Sequence, residues 1–127
     1  MSKLVFTASR GTSSVTIEFE AEKLISSDDI YSFIERLHGN PDDFDSGNLG
    51  TRIESYEQYI CKIIPLSEIN YKLYSVDEDM VNEYAKLKTP IPPILVDENY
   101  NIEDGTHRCY AALKQGTQYM YCFVPFN

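Results

Sequence analysis

The residues with the clearest capacity for chemistry lie next to one another in the last third of the chain. Residues 104–108 read Asp-Gly-Thr-His-Arg. Gly105 permits a tight turn, and the first turn of a helix that follows presents backbone N–H groups and the positive end of its dipole, which together bind anions. Arg108 adds a planar cationic fork that matches phosphate oxygens. We therefore predict that Gly105, Thr106, His107 and Arg108 bind phosphate.

Asp104 and His107 are the candidate catalytic residues of this turn. Asp104 offers the oxygen ligands that Mg²⁺ takes beside phosphates, or it orients His107. His107 can donate a hydrogen bond to phosphate or transfer a proton. A purely structural alternative stays open, in which Thr106 caps the helix, Asp104 forms the turn and Arg108 pairs with surface acids.

The helix that starts near Thr106 has an apolar face formed by Cys109, Ala112 and Leu113. From this face, the sequence predicts that the core does not need Asp104 or His107, so Asp104→Asn should leave the melting temperature nearly unchanged. Cys109 lies in the first helical turn, where the pKa of a thiol can be lowered. We favour the alternative that Cys109 is buried filler.

The elements that must position this turn follow from apolar patterning. Residues 94–96 and 102–103 predict two strands joined by a turn, and Gly116 ends the helix after the second strand. The mostly apolar run at 59–65 predicts a buried strand. Pro65 ends this strand, because a proline cannot continue the ladder of hydrogen bonds. A helix is expected at 76–88, where Ser75 and Glu78 form a capping box, and a last strand at 119–124.

The first part of the chain predicts a hairpin and one helix. Alternating apolar residues at 4–8 and 15–19 flank a turn. Ser26 or Ser27 can cap a helix that ends at Gly39. Residues 39–50 are predicted to form a polar loop. A calcium loop counted from Asp43 is not expected, because Asn48 occupies the position that requires glycine.

Three segments together resemble the ParB/sulfiredoxin-like superfamily. They read Lys-Ile-Ile-Pro-Leu-Ser-Glu-Ile at 62–69, Pro-Pro-Ile-Leu-Val-Asp at 92–97 and Ile-Glu-Asp-Gly-Thr-His-Arg at 102–108. The resemblance covers about residues 57–127. It implies an α+β fold with a ParB/sulfiredoxin-like core, a mixed sheet and an N-terminal ββα extension at 1–56.

The resemblance also implies that ATP, ADP or CTP binds at the turn. The Asp-Gly-x-His-Arg form is closer to the free-serine kinase of the superfamily than to ParB, and it implies a third catalytic group at Glu68. A Ser-Glu-Ile sequence after a strand can instead simply cap a turn. Thr106 stands where sulfiredoxin has its nucleophilic cysteine, so sulfinic-acid reduction is not expected. We also expect no ParB-type helix-turn-helix DNA reader after residue 127.

Composition narrows the possible partners. The net charge is −9, and acidic residues outnumber basic ones in both halves, so a broad surface for non-specific DNA binding is not expected. The three cysteines form no CxxC pair, which argues against structural zinc. No segment approaches the ~20 apolar residues of a membrane span, and we expect a cytoplasmic protein.

These observations predict a domain that binds a nucleoside di- or triphosphate with Mg²⁺ and catalyses phosphoryl transfer or nucleotide hydrolysis. The alternative is a non-enzymatic acidic module that binds or inhibits a protein partner, with residues 1–56 as the contact surface. Its size and acidity suit an effector of a phage or mobile element. A nuclease is less favoured, because the sequence lacks a dense cluster of carboxylates and histidines.

Overall fold

The amino-terminal residues form the predicted hairpin. In the computed structural model, which describes residues 3–10, 13–20, 23–38, 49–70, 78–85 and 91–126, Phe6 lies opposite Ile17 across the two strands. Both side chains are buried, whereas Thr16 and Glu18 are exposed. The alternation of apolar and polar residues therefore gives the hairpin one buried and one exposed face, as predicted.

The elements alternate between strands and helices along the chain. In order they are β1 (Lys3–Arg10), β2 (Ser13–Glu20), β3 (Leu24–Ser26), α1 (Ser27–His38), α2 (Leu49–Glu54), β4 (Gln58–Pro65), a 3₁₀ turn (Leu66–Glu68), α3 (Glu78–Ala85), β5 (Ile94–Val96), β6 (Ile102–Asp104), α4 (Thr106–Lys114) and β7 (Tyr119–Pro125). The predicted capping box at Ser75 and the loop that contains Asp43 lie outside the described residues.

The main sheet is mixed, with strand order β3-β4-β7-β5-β6. β5 runs parallel to β7, and the other neighbouring pairs are antiparallel. This arrangement confirms the predicted α+β class with a mixed sheet. The ParB/sulfiredoxin-like identity of the core stays a prediction.

Helices cover both faces of this sheet. On β5, Ile94 and Val96 belong to one buried cluster, together with residues of α3 and α4. Leu95 belongs to a second cluster, together with residues of α1 and α2. Because successive side chains of a strand point to opposite faces, β5 is buried on both sides, which explains its unbroken apolar sequence.

Helix α1 begins where the sequence places it. The Ser26 hydroxyl accepts a hydrogen bond from the backbone N–H of Asp29, at 3.2 Å, and Asp28 and Asp29 lie in the first turn. This is the predicted serine cap, with acidic residues at the positive end of the helix dipole.

Two short elements, β3 and α2, were not predicted. β3 pairs with β4, with Ile25 opposite Tyr59, so a strand from residues 1–56 belongs to the same sheet as the strands that follow. The division of the chain at residue 56 stays a prediction. Within the described part of the chain, no helix has the length and apolar character needed to cross a membrane.

Candidate phosphate-binding turn

A β-bulge lies immediately before the predicted turn. Val96 pairs with Ile102, but Leu95 pairs with Asp104 rather than Glu103, so β6 contains one extra residue. Such a bulge bends the strand and changes the direction of a side chain, and bulges are over-represented next to active sites. The bulge therefore determines how the backbone delivers Asp104 to the turn.

Gly105 has a backbone conformation that favours glycine. Its φ angle is 107°, in the left-handed half of backbone space. A Cβ at this position would lie 2.6 Å from both the Arg108 Nη2 atom and the Ile94 Cγ2 atom. The glycine is therefore required twice, for the turn itself and for the close approach of the guanidinium group.

Helix α4 starts directly after this glycine. Gly105 is the N-cap residue, and it makes no side-chain capping hydrogen bond. The first helical backbone bond that follows runs from the N–H of Cys109 to the carbonyl of Gly105, at 2.9 Å. Thr106 is the first helical residue rather than the cap, so the capping role considered for its hydroxyl is wrong. The backbone N–H groups of the first turn point out of the start of the helix, as an anion site requires.

Arg108 lies beneath the turn instead of on the surface. Its side chain is only 3% exposed, and its Nη2 atom lies 2.9 Å from the Oδ2 atom of Asp104, whose side chain is 13% exposed. Arg108 therefore pairs with an acid, but the acid belongs to the turn itself and is not a surface residue. This pair was not considered when Asp104→Asn was expected to leave the melting temperature nearly unchanged.

One nitrogen of this guanidinium group has an unsatisfied hydrogen-bond donor. The Nε atom of Arg108 is buried and has no hydrogen-bond partner among the described residues. Buried donors of this kind are rare, because leaving one unsatisfied costs about 1–3 kcal/mol. A bound water or a ligand oxygen would satisfy the Nε–H group.

His107 and Thr106 occupy the first turn of α4 with half-buried side chains. Both therefore lie on the same helical turn as Arg108, as the sequence predicts. Contact between these two residues and phosphate stays a prediction.

Glu68 is close in the chain to a residue that pairs near the start of β6, whereas Asp104 ends that strand. Its side chain is exposed at the end of the 3₁₀ turn. Asn70, two residues later, donates its backbone N–H to the carbonyl of Tyr100 at 2.9 Å and bridges to Asn101. Asn101 precedes Asp104 by three residues, which corresponds to about 10 Å along a strand. The catalytic role of Glu68 stays a prediction.

The three cysteines are buried and free. Burial raises the pKa of Cys109 to about 11 and that of Cys61 to about 12, and burial also raises the pKa of Cys122. The possibility that Cys109 is an activated thiol is therefore wrong, and its interpretation as core filler is confirmed.

A second group of polar residues, which was not predicted from the sequence, lies close to the turn. The Nε atom of Arg52, on α2, lies 2.8 Å from the Oε2 atom of Glu103, the residue before Asp104. Asp97 accepts hydrogen bonds from the backbone N–H groups of Asn99 and Asn101 and from the side chain of Asn101. The only sequence signal for this group was the cluster of acids and asparagines between β5 and β6.

Comparison with known proteins found no matching family model, curated protein or solved structure. The resemblance to the ParB/sulfiredoxin-like superfamily stays a prediction that depends on the three segments at 62–69, 92–97 and 102–108. Among the described residues, no group of three or more His, Cys, Asp or Glu side chains is arranged to hold a metal ion.

Proposed function

We propose that this protein binds a nucleoside di- or triphosphate with Mg²⁺ at the turn formed by residues 104–108, and that it transfers or hydrolyses the terminal phosphoryl group. The observation that carries the proposal is the start of α4. There, a glycine with φ of 107° caps the helix without a side-chain hydrogen bond. A guanidinium group with an unsatisfied Nε–H lies in the same turn.

In this proposal the backbone supplies the main phosphate contacts. The N–H groups of Thr106 and His107 and the helix dipole attract the phosphate oxygens. Arg108 contributes its positive charge from beneath the turn, where its pairing with Asp104 holds the guanidinium group in one orientation. Its Nε–H group then finds an acceptor in a phosphate oxygen or in a water that bridges to one.

Asp104 is the residue that would hold Mg²⁺. A carboxylate has two oxygens with about four acceptor sites, so pairing with Arg108 through Oδ2 and coordination of a metal are compatible. Mg²⁺ in phosphate sites commonly uses one or two carboxylates and completes its shell with water and phosphate oxygens. The proposed site therefore does not require a cluster of protein ligands.

The reaction would depend on positioning and charge neutralisation. Phosphoryl transfer has little covalent chemistry for the protein to perform. His107 would accept or donate the proton of the attacking or leaving oxygen, and Glu68 is the third catalytic group that the family resemblance implies.

Binding is tested by thermal shift and calorimetry with ATP, ADP, CTP and GTP, each with and without Mg²⁺. A nucleotide present at about 100 times its dissociation constant stabilises a fold by about 2.7 kcal/mol. His107→Ala should weaken binding about tenfold, which corresponds to one hydrogen bond of about 1.4 kcal/mol. Gln118→Ala, an exposed change beyond the far end of α4, is the control. If no nucleotide stabilises the parent protein, the proposal is wrong.

Turnover is tested by release of phosphate or nucleoside diphosphate in the presence of Mg²⁺. His107→Ala should lower turnover at least tenfold, because general acid–base groups usually contribute about 10²–10⁴. Glu68→Gln should lower turnover without changing nucleotide affinity, with the exposed Glu57→Gln as its control. Binding without turnover by the parent protein would instead support the non-enzymatic binding module.

A further inference from the structure

A small cleft lies on the face of the sheet that carries α2. It has a volume of about 170 Å³, equivalent to about six water molecules at roughly 30 Å³ each. The rings of Tyr56 and Tyr59 and the side chains of Leu95 and Val96 line it, and charged residues complete its rim. A compound of about six to eight non-hydrogen atoms therefore fits it.

The aromatic part of the cleft forms a corner. The ring centroids of Tyr56 and Tyr59 lie 6.0 Å apart with an interplanar angle of 73°. Tyr59 is fixed, because it is buried and its hydroxyl donates a hydrogen bond to the carbonyl of Ile53 at 2.7 Å. The face of Tyr59 is therefore closed to a ligand, and the half-buried ring of Tyr56 supplies the π surface that an added cation can reach.

The charge around this corner is negative. Asp97 and Glu103 line the cleft together with a single basic residue, Arg52. Burial and then the carboxylates of Glu98, Asp97 and Glu103 raise the pKa of Tyr56. The pKa of Tyr59 is also raised, by burial first and then by Tyr56 and Glu103. The cleft therefore disfavours an added anion and favours an added cation.

The chain already places one organic cation at the edge of this cleft. The guanidinium group of Arg52 pairs with Glu103, with side chains 48% and 22% exposed respectively. An ion pair this exposed contributes little net stability, because water and salt screen it. A ligand cation can therefore replace Arg52 at Glu103 at low cost.

We infer that this cleft binds a small organic cation, a compound with a primary ammonium or guanidinium group that pairs with Glu103 and lies against the ring of Tyr56. The inference does not depend on nucleotide binding. Glu103 is bonded to Asp104, but the cleft lies on the α2 face of the sheet and α4 covers the opposite face. The bound compound would therefore act as an effector of the turn rather than as a phosphoryl acceptor.

The first test is calorimetry at low ionic strength with putrescine, ethanolamine and ethylguanidine. The diol with the same chain length as putrescine is the neutral control. The amines should bind and the diol should not. Equal binding of the diol, or no binding of any amine at millimolar concentration, would overturn the inference.

Variants then locate the site. Glu103→Gln and Tyr56→Leu should each weaken amine binding at least about fivefold, whereas Glu54→Gln, an exposed acid on the same helix as Arg52, should not. Arg52→Gln removes the resident cation, so the amines should bind up to about fivefold more tightly. The inferred site would be contradicted if the Arg52→Gln protein bound the amines more weakly than the parent protein does. It would also be contradicted if the Glu103→Gln protein bound the amines as well as the parent protein does. Nucleotide binding is measured in parallel on the same variants, and its result does not decide whether the amines bind.

Discussion

Replacing Asp104 with asparagine should strongly destabilise the fold. The substitution removes the negative charge that lies 2.9 Å from a guanidinium group whose side chain is 3% exposed. Breaking one partner of a buried ion pair costs about 3–5 kcal/mol, because the remaining charge stays buried without compensation. Since the Asp104 side chain is 13% exposed, some water reaches the pair, and we expect a loss near the lower limit, about 3 kcal/mol.

This loss corresponds to a decrease of roughly 12 °C in melting temperature, at about 4 °C per kcal/mol for a domain of this size. Urea denaturation and calorimetry measure it directly. The double variant Asp104→Asn/Arg108→Met is the decisive comparison. Removal of both charges leaves no buried charge unpaired, so much of the lost stability should return.

Two results would refute this reasoning. If Asp104→Asn melts within about 1 °C of the parent protein, the pair is not buried in solution, and the sequence-based expectation was right. If the double variant is no more stable than Asp104→Asn alone, the cost comes from the turn rather than from the unpaired guanidinium group. Either result would also contradict the proposal that pairing with Asp104 holds the guanidinium group of Arg108 in one orientation for phosphate.

Three further predictions concern other residues. Gly105→Ala should cost more stability in urea than Gly116→Ala, because both have positive φ but only the first would place a Cβ 2.6 Å from its neighbours; equal costs would show that the crowding is relieved. The three buried cysteines should react with a thiol reagent only after unfolding, and rapid reaction of Cys109 in the native protein would contradict its burial. Asp97 should stabilise the fold near neutral pH: burial acts to raise its pKa, but hydrogen bonds from Asn101 and Asn99 lower it overall. That stabilisation is lost as the pH falls through the lowered pKa, so the deficit of Asp97→Asn in urea should shrink as the pH falls below the ordinary aspartate pKa of about 3.9. A constant deficit would argue against the charged hydrogen bonds.

Local patterns were sufficient to predict the hairpin, α1 and the order of strand, turn and helix around Gly105. Each of these depends on neighbours in the sequence, such as the alternation in β2 or the serine before α1. β3 was not predictable in this way, because three residues are too few for an alternating pattern and their pairing depends on a distant strand. The bulge at Glu103 is likewise visible only once β5 is in place.

The candidate site shows the same division. The types and spacing of Asp104, Gly105 and Arg108 indicated a turn suited to phosphate, and the structure brings these residues together. The sequence did not show that the guanidinium group lies inside the turn, because arginine is almost never fully buried unless it is paired, and its pairing with Asp104 became visible only in the folded turn. Arg52 and Glu103 were missed because residues from distant parts of the chain form that pair.

The bulge in β6 also affects how the protein meets other copies of itself. Among the described strands, β6 is the last in the sheet, and an edge strand presents backbone groups with which another chain can pair. At its beginning, Asn70 bridges to Asn101 and covers part of this edge. At its end, the extra residue interrupts the regular spacing that an incoming strand would need. The irregularity that directs Asp104 into the turn thus also makes this edge a poor template for aggregation.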